Sequence, residues 1–333
     1  MKGIVLVGGI GTRLRPFTYT ESKPLLPIAN KRMLQYSLEH LRDIGIKEIA
    51  IVAGSAIKET EEFFGDGKKL GVQITYIFQK EPKGISHAIY LTKKFVNNEK
   101  FIVFLGDNIL ENRISEHKKR FESENQDAMI LLYDVKNPSQ FGIAEIKNKE
   151  IIKIVEKPKN SNSNHAVIGV YFLTSKIFDI IKDLKPSSRG ELEITDALQL
   201  SIRNNHKVIF DFISGWWNDA GTIEGLLETN KLVLNSNLVK INSLERIDKM
   251  GKNGKKSNIS KDSIIIEPVI IGNNCNIEQA EIGPNVSIGD GCILKKCQIS
   301  DSIVMNNCKI DSDAKFSNSI ISNYAEIINK KIN

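Results

Sequence analysis

A repeat of apolar residues towards the end of the chain constrains the fold more than any other feature. Aliphatic or aromatic residues recur there at spacings of five or six positions: Ile266, Ile271, Ile277, Ile282, Ile288, Ile293 or Leu294, Ile299, Val304, Ile310, Phe316 and Ile321. Glycine or an acid often follows, as in Ile271-Gly272 and Ile310-Asp311. This hexapeptide pattern predicts a left-handed parallel β-helix over residues 262–333, with three short strands in each coil and the aliphatic side chains stacked inward.

The four cysteines fit the same register. Cys275, Cys292 and Cys308 each follow a repeat aliphatic by four residues, and Cys297 follows Ile293 by four. Since this position takes inward-facing residues, the thiols are predicted to pack in the core. A zinc site is the rival interpretation, but no Cys-x-x-Cys spacing occurs, and a cytoplasmic setting disfavours disulfides.

Hexapeptide repeats also occur in acyltransferases, so acyl transfer by the tail is a candidate function. The repeat region holds no histidine, and such enzymes often use a histidine as general base. The tail is therefore interpreted as an assembly or regulatory module, and the protein is expected to form a homo-oligomer.

The residues before the repeat alternate apolar strands with helical patterns, as βαβ units do. Strands are predicted at 3–7, 48–53, 73–78, 101–105, 128–135, 151–156 and 166–173, and helices at 33–44, 57–64, 84–96, 197–203 and 222–235. The predicted fold class is α/β, with a doubly wound mixed sheet over residues 1–238. Ligands are expected at the carboxyl ends of its strands.

Residues 239–261 are predicted to link the two domains. Residues 240–261 hold seven cations and two anions, which accounts for +5 of the net charge of +6. This stretch lacks aromatic interleaving and any RNA-binding motif, so a solvated basic linker is favoured over a nucleic-acid surface. No apolar run approaches the ~18 residues that span a membrane. The apolar start of the chain is too short for a secretory signal, and the expected location is the cytoplasm.

A glycine loop (residues 8–27) follows the first predicted strand. It reads Gly8-Gly9-Ile10-Gly11-Thr12-Arg13-Leu14-Arg15-Pro16 and continues to Lys23-Pro24-Leu25-Leu26-Pro27. The glycines expose backbone N–H groups, and Arg13, Arg15 and Lys23 add cations, which together suit a polyphosphate. A dinucleotide fingerprint is excluded because Leu14 replaces its third glycine and Pro16 blocks the helix. The Gly-Lys-Ser/Thr of a Walker loop is absent.

This stretch resembles the sugar-1-phosphate nucleotidylyltransferases. The similar motifs are Gly-Gly-x-Gly-Thr-Arg-Leu-Arg-Pro from Gly8 and Lys-Pro-Leu-Leu-Pro-Ile-Ala-Asn-Lys from Lys23. The chain is most similar to the long-form glucose-1-phosphate thymidylyltransferases. Ile10 stands where a small or polar residue is usual, but this position contributes mainly its backbone. The resemblance implies in-line attack of glucose 1-phosphate on the α-phosphorus of dTTP, with release of pyrophosphate and assistance from Mg²⁺.

The resemblance also implies roles on the nucleotide side. Arg13 would stabilise the transition state and the departing pyrophosphate, and Lys23 would orient the phosphates. The amide of Gln79 can donate and accept at once, which matches the edge of thymine or uracil. The nucleotide-binding residues implied are Gly8, Gly9, Gly11, Thr12, Arg13, Gln79 and Gly84.

Two acids are the implied metal ligands. Asp107 follows the apolar strand 101–105 and a glycine, and a lone carboxylate at a strand end suits Mg²⁺. Asp219 lies in a segment that matches the family pattern Trp-x-Asp-x-Gly-Thr. Without the resemblance, Asp107 would be an ordinary turn residue and Asp219 a helix-cap residue.

The sugar phosphate is implied to lie between these motifs. Phe141-Gly142 resembles the aromatic-glycine pair of the family, in which tyrosine is usual, and Gly169 would also lie near the sugar. Glu156 would accept from sugar hydroxyls, and Lys157, counted with Arg13 and Lys23 as catalytic, would hold the phosphate. An isolated Glu-Lys pair would instead be solvated. The implied sugar-phosphate residues are Gly142, Glu156, Lys157, Gly169 and Arg189.

The choice of substrates stays open at the sequence level. One methyl group separates thymine from uracil, which discriminates by only about 1–3 kcal/mol. UTP with glucose 1-phosphate or an amino sugar phosphate, and GTP with mannose 1-phosphate, are alternatives. A non-catalytic regulatory subunit is a further alternative, but the presence of Arg13, Lys23, Asp107 and Asp219 argues against it.

Overall fold

The computed structural model describes residues 1–236, 238 and 256–329. These residues pack as two compact units. The first contains Met1–Thr12, Ser22–Pro24 and Leu34–Trp217, and the second contains Arg13–Glu21, Leu25–Met33 and the chain from Asn218. The predicted linear boundaries at 238 and 261 remain a prediction, because residues 239–255 of the proposed linker lie outside the described residues.

The helices and the strands before the tail follow in chain order. The strands are β1 (Lys2–Val7), β2 (Pro27–Ile28), β3 (Lys31–Arg32), β4 (Glu48–Ala53), β5 (Gln73–Phe78), β6 (Phe101–Leu105), β7 (Asn108–Leu110), β8 (Ala128–Asp134), β9 (Gly142–Lys147), β10 (Glu150–Glu156), β11 (His165–Leu173), β12 (Val208–Phe212) and β13 (Trp217–Asp219). The helices are α1 (Met33–Asp43), α2 (Ile57–Phe64), α3 (Ile85–Leu91), α4 (Lys93–Val96), α5 (Ser115–Ser123), α6 (Ile177–Lys182), α7 (Ile194–Arg203) and α8 (Ile223–Asn235). Within the described residues, no helix is both long enough and apolar enough to cross a bilayer.

A mixed sheet of nine strands forms the first unit. Its main path is β10-β9-β11-β6-β1-β4-β5, and β8 pairs with both β11 and β12. The pairs β1–β4, β1–β6 and β4–β5 are parallel, whereas β11 is antiparallel to β6 and β8. The central strands are almost fully buried, since helices cover both faces of a parallel sheet and select continuous apolar runs. The predicted doubly wound mixed α/β fold is confirmed.

Two predicted helices differ in detail from the structure. The helix predicted over 84–96 is two helices, because the Thr92 hydroxyl donates to the Ile89 carbonyl at 2.7 Å and the chain turns there. The helix predicted from residue 197 begins at Ile194, which places Thr195 and Asp196 inside its first turn. These boundaries matter because Thr195 belongs to the candidate site described below.

The tail winds as the predicted β-helix. Its strands are β14 (Asn258–Ile259), β15 (Ile264–Ile265), β16 (Val269–Ile271), β17 (Asn276–Glu278), β18 (Glu281–Ile282), β19 (Val286–Ile288), β20 (Ile293–Lys295), β21 (Gln298–Ser300), β22 (Ile303–Val304), β23 (Lys309–Asp311), β24 (Lys315–Ser317), β25 (Ile320–Ile321) and β26 (Glu326–Ile328). They form three parallel sheets, β14-β17-β20-β23-β26, β15-β18-β21-β24 and β16-β19-β22-β25. Three sheets of stacked strands are the three faces of such a helix, which confirms the fold predicted from the repeat.

The stacking register corrects one end of the predicted repeat. Ile265, and not Ile266, pairs with Ile282 and packs against the core, whereas Ile266 is 40% exposed. Likewise Leu294 is fully buried and Ile293 is 36% exposed, which resolves the two candidates at that position. Backbone pairing between coils determines which of two adjacent residues points inward. The repeat spacing along the chain cannot distinguish between those two residues.

The cysteines pack in the β-helix core, as predicted. All four are free thiols with exposures of 2% or less. Burial raises the pKa of Cys297 to about 11, so its thiol stays protonated at neutral pH. A protonated, enclosed thiol behaves as a small apolar side chain.

The corrected register predicts unequal costs for two adjacent truncations. Leu294→Ala should lower the free energy of unfolding by about 2–5 kcal/mol, because it leaves a cavity in a closed core. Ile293→Ala, the matched control, should cost less than about 1 kcal/mol, because its side chain is partly in solvent. Urea denaturation of both variants, followed by circular dichroism, measures the difference. A larger cost for Ile293→Ala would contradict this register.

Candidate active site

The glycine loop leaves β1 at an exposed point of the first unit. Gly9 and Gly11 have φ values of 81° and 66°, a left-handed conformation that glycine adopts without steric cost. A Cβ at Gly8 or Gly9 would meet nothing within 4 Å, so the backbone is open to an approaching ligand. Exposed amides in such a turn suit phosphate oxygens.

Arg13 and Arg15 lie in the second unit. The side chain of Leu14, between them, is fully buried, while Arg13 and Arg15 are exposed. The Arg15 guanidinium lies 4.9 Å from the centre of the Tyr19 ring, a cation–π contact. Thr12 is likewise exposed, next to Arg13 in the short helical turn Thr12–Leu14.

Lys23 and Asp107 form an ion pair in the first unit. The ammonium of Lys23 lies 2.5 Å from Asp107 Oδ2, and the two side chains are 12% and 21% exposed. Burial disfavours the charged carboxylate, but the Lys23 charge and the hydrogen bonds from Lys23 and Asn108 together outweigh this effect and hold the pKa of Asp107 below its usual value. Asp107 is therefore an anion at neutral pH. The two residues belong to separate sequence motifs, and nothing in the sequence indicated their contact.

Asn108 anchors this pair to the sheet. Its Nδ2 donates to Asp107 Oδ1 at 2.9 Å, while its Oδ1 accepts from Trp217 Nε1 at 2.6 Å and from the Gly169 amide at 3.2 Å. The residue is only 3% exposed. A Cβ at Gly169 would lie 2.8 Å from Asn108 Oδ1, so only glycine allows this approach. The predicted sugar contact of Gly169 remains a prediction.

Aromatic rings fix Trp217 in turn. Its indole packs edge-on against Phe141 at 5.2 Å and Tyr133 at 5.9 Å between ring centres. Trp217 is 7% exposed. Trp217 was predicted only as part of a motif. Its buried indole N–H requires an acceptor, which Asn108 provides.

Gln79 and Gly84 lie together at the end of β5. The Gln79 side chain is buried, and its Nε2 faces His87 Nδ1 at 3.0 Å and the Gly84 carbonyl at 3.5 Å. Burial and the nearby Lys83 lower the pKa of His87, so its neutral ring can accept from the amide. His87 had no predicted site role, and its contact with Gln79 is seen only in the structure.

Only glycine fits at position 84, because of the backbone conformation there and because neighbouring atoms lie too close for a side chain. Its φ is 100°, and a Cβ there would lie 2.7 Å from the backbone nitrogen and oxygen of Leu192. The Leu192 amide donates to the Lys83 carbonyl, and the Ser86 amide donates to the Leu192 carbonyl. This close packing holds the segment after β5 against the chain that leads into α7.

A carboxylate cluster (Glu156, Arg189, Glu193 and Thr195) lies at the end of β10. Glu156 accepts from Arg189 Nη1 at 3.2 Å and from the Thr195 hydroxyl at 3.1 Å, and Arg189 also lies 3.4 Å from Glu193. Burial and the nearby Glu193 raise the pKa of Glu156, against the opposing charges of Lys157 and Arg189. Glu193 and Thr195 had no predicted site role.

The other predicted sugar-phosphate residues adjoin this cluster. Lys157 Nζ lies 4.0 Å from Glu156 Oε1. Gly142 pairs with Glu156 across two antiparallel strands, and a Cβ on Gly142 would lie 2.5 Å from Thr195 Cγ2. Burial raises the pKa of Tyr171, and the charges of Glu156 and Asp107 add to this effect.

Asp219 is the last residue of β13 and lies in the second unit, before the turn that leads into α8. Its Oδ1 accepts from the Gly221 amide at 2.8 Å. The Thr222 hydroxyl caps α8 by accepting from the Gly225 amide at 3.0 Å. Over the ranges 1–236 and 256–329, no group of three or more His, Cys, Asp or Glu side chains could hold a metal ion.

Comparison with known proteins places the chain in a family. Residues 2–236 match the model described as Nucleotidyl transferase, and residues 265–331 match the model described as GMPPB C-terminal domain. The chain therefore belongs to the nucleotidyl transferase family. Within it, the chain is a member of the sugar-1-phosphate nucleotidyltransferases, as its motifs predicted.

Three similar proteins illustrate this membership. The Haloferax volcanii low-salt glycan biosynthesis nucleotidyltransferase Agl11 is 43% identical over 242 residues, which cover 72% of this chain and 68% of that protein. A Streptomyces griseus glucose-1-phosphate thymidylyltransferase is 36% identical over 288 residues, 85% of this chain and 81% of that protein. A Bacillus anthracis crystal structure, provisionally assigned as a glucose-1-phosphate thymidylyltransferase and complexed with sucrose, has a TM-score of 0.68 at 40% identity and covers 71% of this chain and 96% of its own.

The raised pKa of Glu156 predicts a pH-dependent effect on stability. The folded protein holds this proton more tightly than the unfolded chain, whose glutamate pKa is about 4.3. The stability that this group contributes is therefore full below about pH 4 and is lost as the pH rises through the raised value. Glu156→Gln does not titrate, so the stability of the wild type relative to this variant should fall as the pH rises above about 4.

Urea denaturation at several pH values measures this difference. Glu150→Gln, at an exposed position of the same strand, controls for the general loss of one negative charge. A wild-type advantage that grows as the pH rises would show that the local field favours the charged form of Glu156.

Proposed function

We propose that the protein joins dTTP and glucose 1-phosphate to give dTDP-glucose and pyrophosphate. The observation that supports this most is the position of the Lys23–Asp107 ion pair. In the parallel pair β1–β6, Leu6 lies opposite Leu105, and the Gly106 amide donates to the Leu6 carbonyl at 2.9 Å. The glycine loop and Asp107 therefore leave the sheet at the same carboxyl edge, where open-sheet proteins bind nucleotides.

The chemistry asked of the chain is binding and charge stabilisation. An oxygen of the sugar 1-phosphate attacks the α-phosphorus, and the bond to the β-phosphate oxygen breaks in line, so pyrophosphate leaves. The exposed Arg13 guanidinium stabilises the charge that develops, and Lys23 orients the phosphates. The backbone amides of the loop, at Gly8, Gly9, Gly11 and Thr12, face the phosphate oxygens.

The base is assigned to Gln79 and Gly84. A buried amide held by His87 has a fixed orientation, and its oxygen and nitrogen can match the donor and acceptor on one edge of a pyrimidine. The same edge occurs in thymine and uracil. The assignment of dTTP over UTP therefore rests on the resemblance and on the named relatives, and UTP is the second candidate nucleotide.

Asp107 is the residue that best fits a magnesium ion. It supplies anionic oxygen, the donor type that Mg²⁺ prefers, and it already balances the positive charge of Lys23. Asp219 is proposed as the second ligand on the sequence motif alone. When bound, the ion would neutralise phosphate charge.

The sugar phosphate is assigned to the end of β10. Glu156 is held by Arg189 and Thr195, so its carboxylate is oriented before a sugar arrives. Once ionised, it accepts from sugar hydroxyls, and Lys157 and Arg189 balance the phosphate charge. Gly142 is assigned to the sugar phosphate on the resemblance, and its lack of a side chain lets Thr195 pack closely beside Glu156.

A grid of substrates tests the proposal. Pyrophosphate release is measured for dTTP, UTP and GTP against glucose 1-phosphate, mannose 1-phosphate and an amino sugar phosphate, with Mg²⁺ or with EDTA. The largest kcat/KM is expected for dTTP with glucose 1-phosphate, and EDTA should abolish release. A best rate with UTP would transfer the assignment to the second candidate, and no release from any pair would favour a regulatory subunit. Incubation with acetyl-CoA and an amino sugar phosphate checks acyl transfer.

Arg13 should be the most sensitive cation of the glycine loop. Arg13→Ala is expected to lower kcat by about 100- to 1000-fold, as the loss of a preorganised charge stabiliser does. Its melting temperature should stay near that of the wild type, because the side chain is exposed.

Arg203→Ala provides the matched control for Arg13→Ala. Arg203 is an exposed arginine at the end of α7, and its loss should leave kcat unchanged. Turnover in Arg13→Ala equal to that of this control would refute the role of Arg13.

A further inference from the structure

A ladder of turn side chains runs along one corner of the β-helix. The Asn273 amide donates to Asp290 Oδ1 at 2.7 Å, the Asp290 amide to Asn306 Oδ1 at 2.9 Å, and the Asn306 amide to Asn323 Oδ1 at 2.9 Å. We name Asn273, Asp290, Asn306 and Asn323 the turn ladder. Each side-chain oxygen satisfies a backbone N–H of the preceding coil, so the ladder ties one coil to the next.

The last member of the turn ladder reaches outside the tail. Asn323 Nδ2 donates to Glu21 Oε2 at 2.9 Å, a contact between residues 302 positions apart. Glu21 Oε1 accepts from Arg32 Nη1, and the same nitrogen donates to the Leu25 carbonyl at 2.6 Å. Glu21 and Arg32 are 16% and 23% exposed, so both are partly shielded from solvent. The ladder therefore ends on an acid of the glycine loop.

A second contact holds the chain just beyond the glycine loop. Asn230 of α8 is 1% exposed, and its Oδ1 accepts from the Ala29 amide at 2.8 Å and from the Ser287 hydroxyl at 2.9 Å. Asn30 Nδ2 donates to the Ile288 carbonyl at 2.6 Å. Ala29 and Asn30 have φ values of 45° and 60°, which non-glycine residues adopt only when neighbours hold them.

These contacts explain why parts of the glycine loop pack with the tail. The segments Arg13–Glu21 and Leu25–Met33 belong to the compact unit that contains α8 and the β-helix. They include Arg13 and lie on both sides of Lys23 in the chain. A backbone held on both sides of a short segment loses conformational freedom before any ligand arrives.

We infer that the β-helix positions the glycine loop for nucleotide binding, and that Glu21, Asn230 and Asn323 are its positioning residues. The inference rests on the proposed function in one respect, the assignment of Arg13 and Lys23 to the triphosphate. None of the three positioning residues needs to touch substrate. They hold the backbone that carries the two cations. Their loss should therefore loosen the glycine loop, and this should lower both the affinity for the nucleotide and the turnover.

An isosteric substitution at the end of the turn ladder tests this inference. Asn323→Asp keeps the oxygen that accepts from the Asn306 amide, but it replaces the donor that faces Glu21 with an acceptor of like charge. The matched control is Asn306→Asp, the same change one coil earlier in the ladder. Hydrogen–deuterium exchange is measured for peptides that cover residues 16–33. Exchange there should be about 10-fold faster in Asn323→Asp than in the control, because the loop opens locally more often.

A double variant isolates the contact with Glu21. Glu21→Gln combined with Asn323→Asp exchanges the amide and the carboxylate, so a donor again faces an acceptor. Exchange over residues 16–33 should then return towards the wild-type rate, although the charge pair with Arg32 is lost. Exchange as fast as in Asn323→Asp alone would mean that the contact with Glu21 does not hold the loop.

Kinetics gives the readout that a merely structural role would not move. With the substrate pair that the wild type uses, Asn323→Asp should lower kcat/KM for the nucleotide by about 10-fold. The KM for the sugar phosphate should stay unchanged, since the residues assigned to it lie on other segments.

The outcomes separate the inference from the proposed function. Equal exchange over residues 16–33 in Asn323→Asp and Asn306→Asp would overturn the inference. The exchange experiment needs no substrate, so it decides the inference even if the wild type releases no pyrophosphate, a result that would refute the proposed function instead. Faster exchange with an equal rise in KM for both substrates would also overturn it, because the loss of affinity would then be general.

Discussion

The parallel pairing of β1 with β6 is the constraint on which the site depends. It brings two chain segments that are far apart in sequence to one edge of the sheet, the glycine loop after Val7 and Asp107 after Leu105. The ion pair between Lys23 and Asp107 then fixes a charged side chain of the loop to the end of a buried strand. Because both groups are partly shielded from solvent, the pair is less screened than an exposed one.

Asn108 makes this edge rigid. One buried amide donates to Asp107 and accepts from Trp217 and Gly169, so three separate segments share one side chain. A buried polar group with all its partners satisfied specifies one arrangement, whereas loss of a partner leaves a costly unpaired group. The carboxylate cluster at the end of β10 uses the same device with charged groups, and there burial and Glu193 favour the protonated form of Glu156.

The β-helix contributes more than a repeat. Its inward positions are filled by aliphatic residues and by cysteines that behave as apolar side chains. One of its corners carries the turn ladder, in which side-chain oxygens of one coil accept hydrogen bonds from backbone N–H groups of the preceding coil. A repeat fold has a regular set of corner positions. At one of them, Asn323 donates a hydrogen bond to Glu21, which lies in a segment near the start of the chain.

The α/β fold with its mixed sheet, the parallel β-helix and the family could all be predicted from the sequence. Each of these follows from a local pattern in the sequence. The aliphatic spacing of five or six residues predicts the β-helix, and the motif from Gly8 to Pro16 indicates the family. Tertiary structure decided which of Ile265 and Ile266 points inward, that Lys23 pairs with Asp107, and that His87 holds Gln79. It also decided the roles of Asn108 and of Asn323. These depend on strand register and on contacts across up to 302 positions, and a pattern along the chain carries no information about which distant residue will face a given side chain.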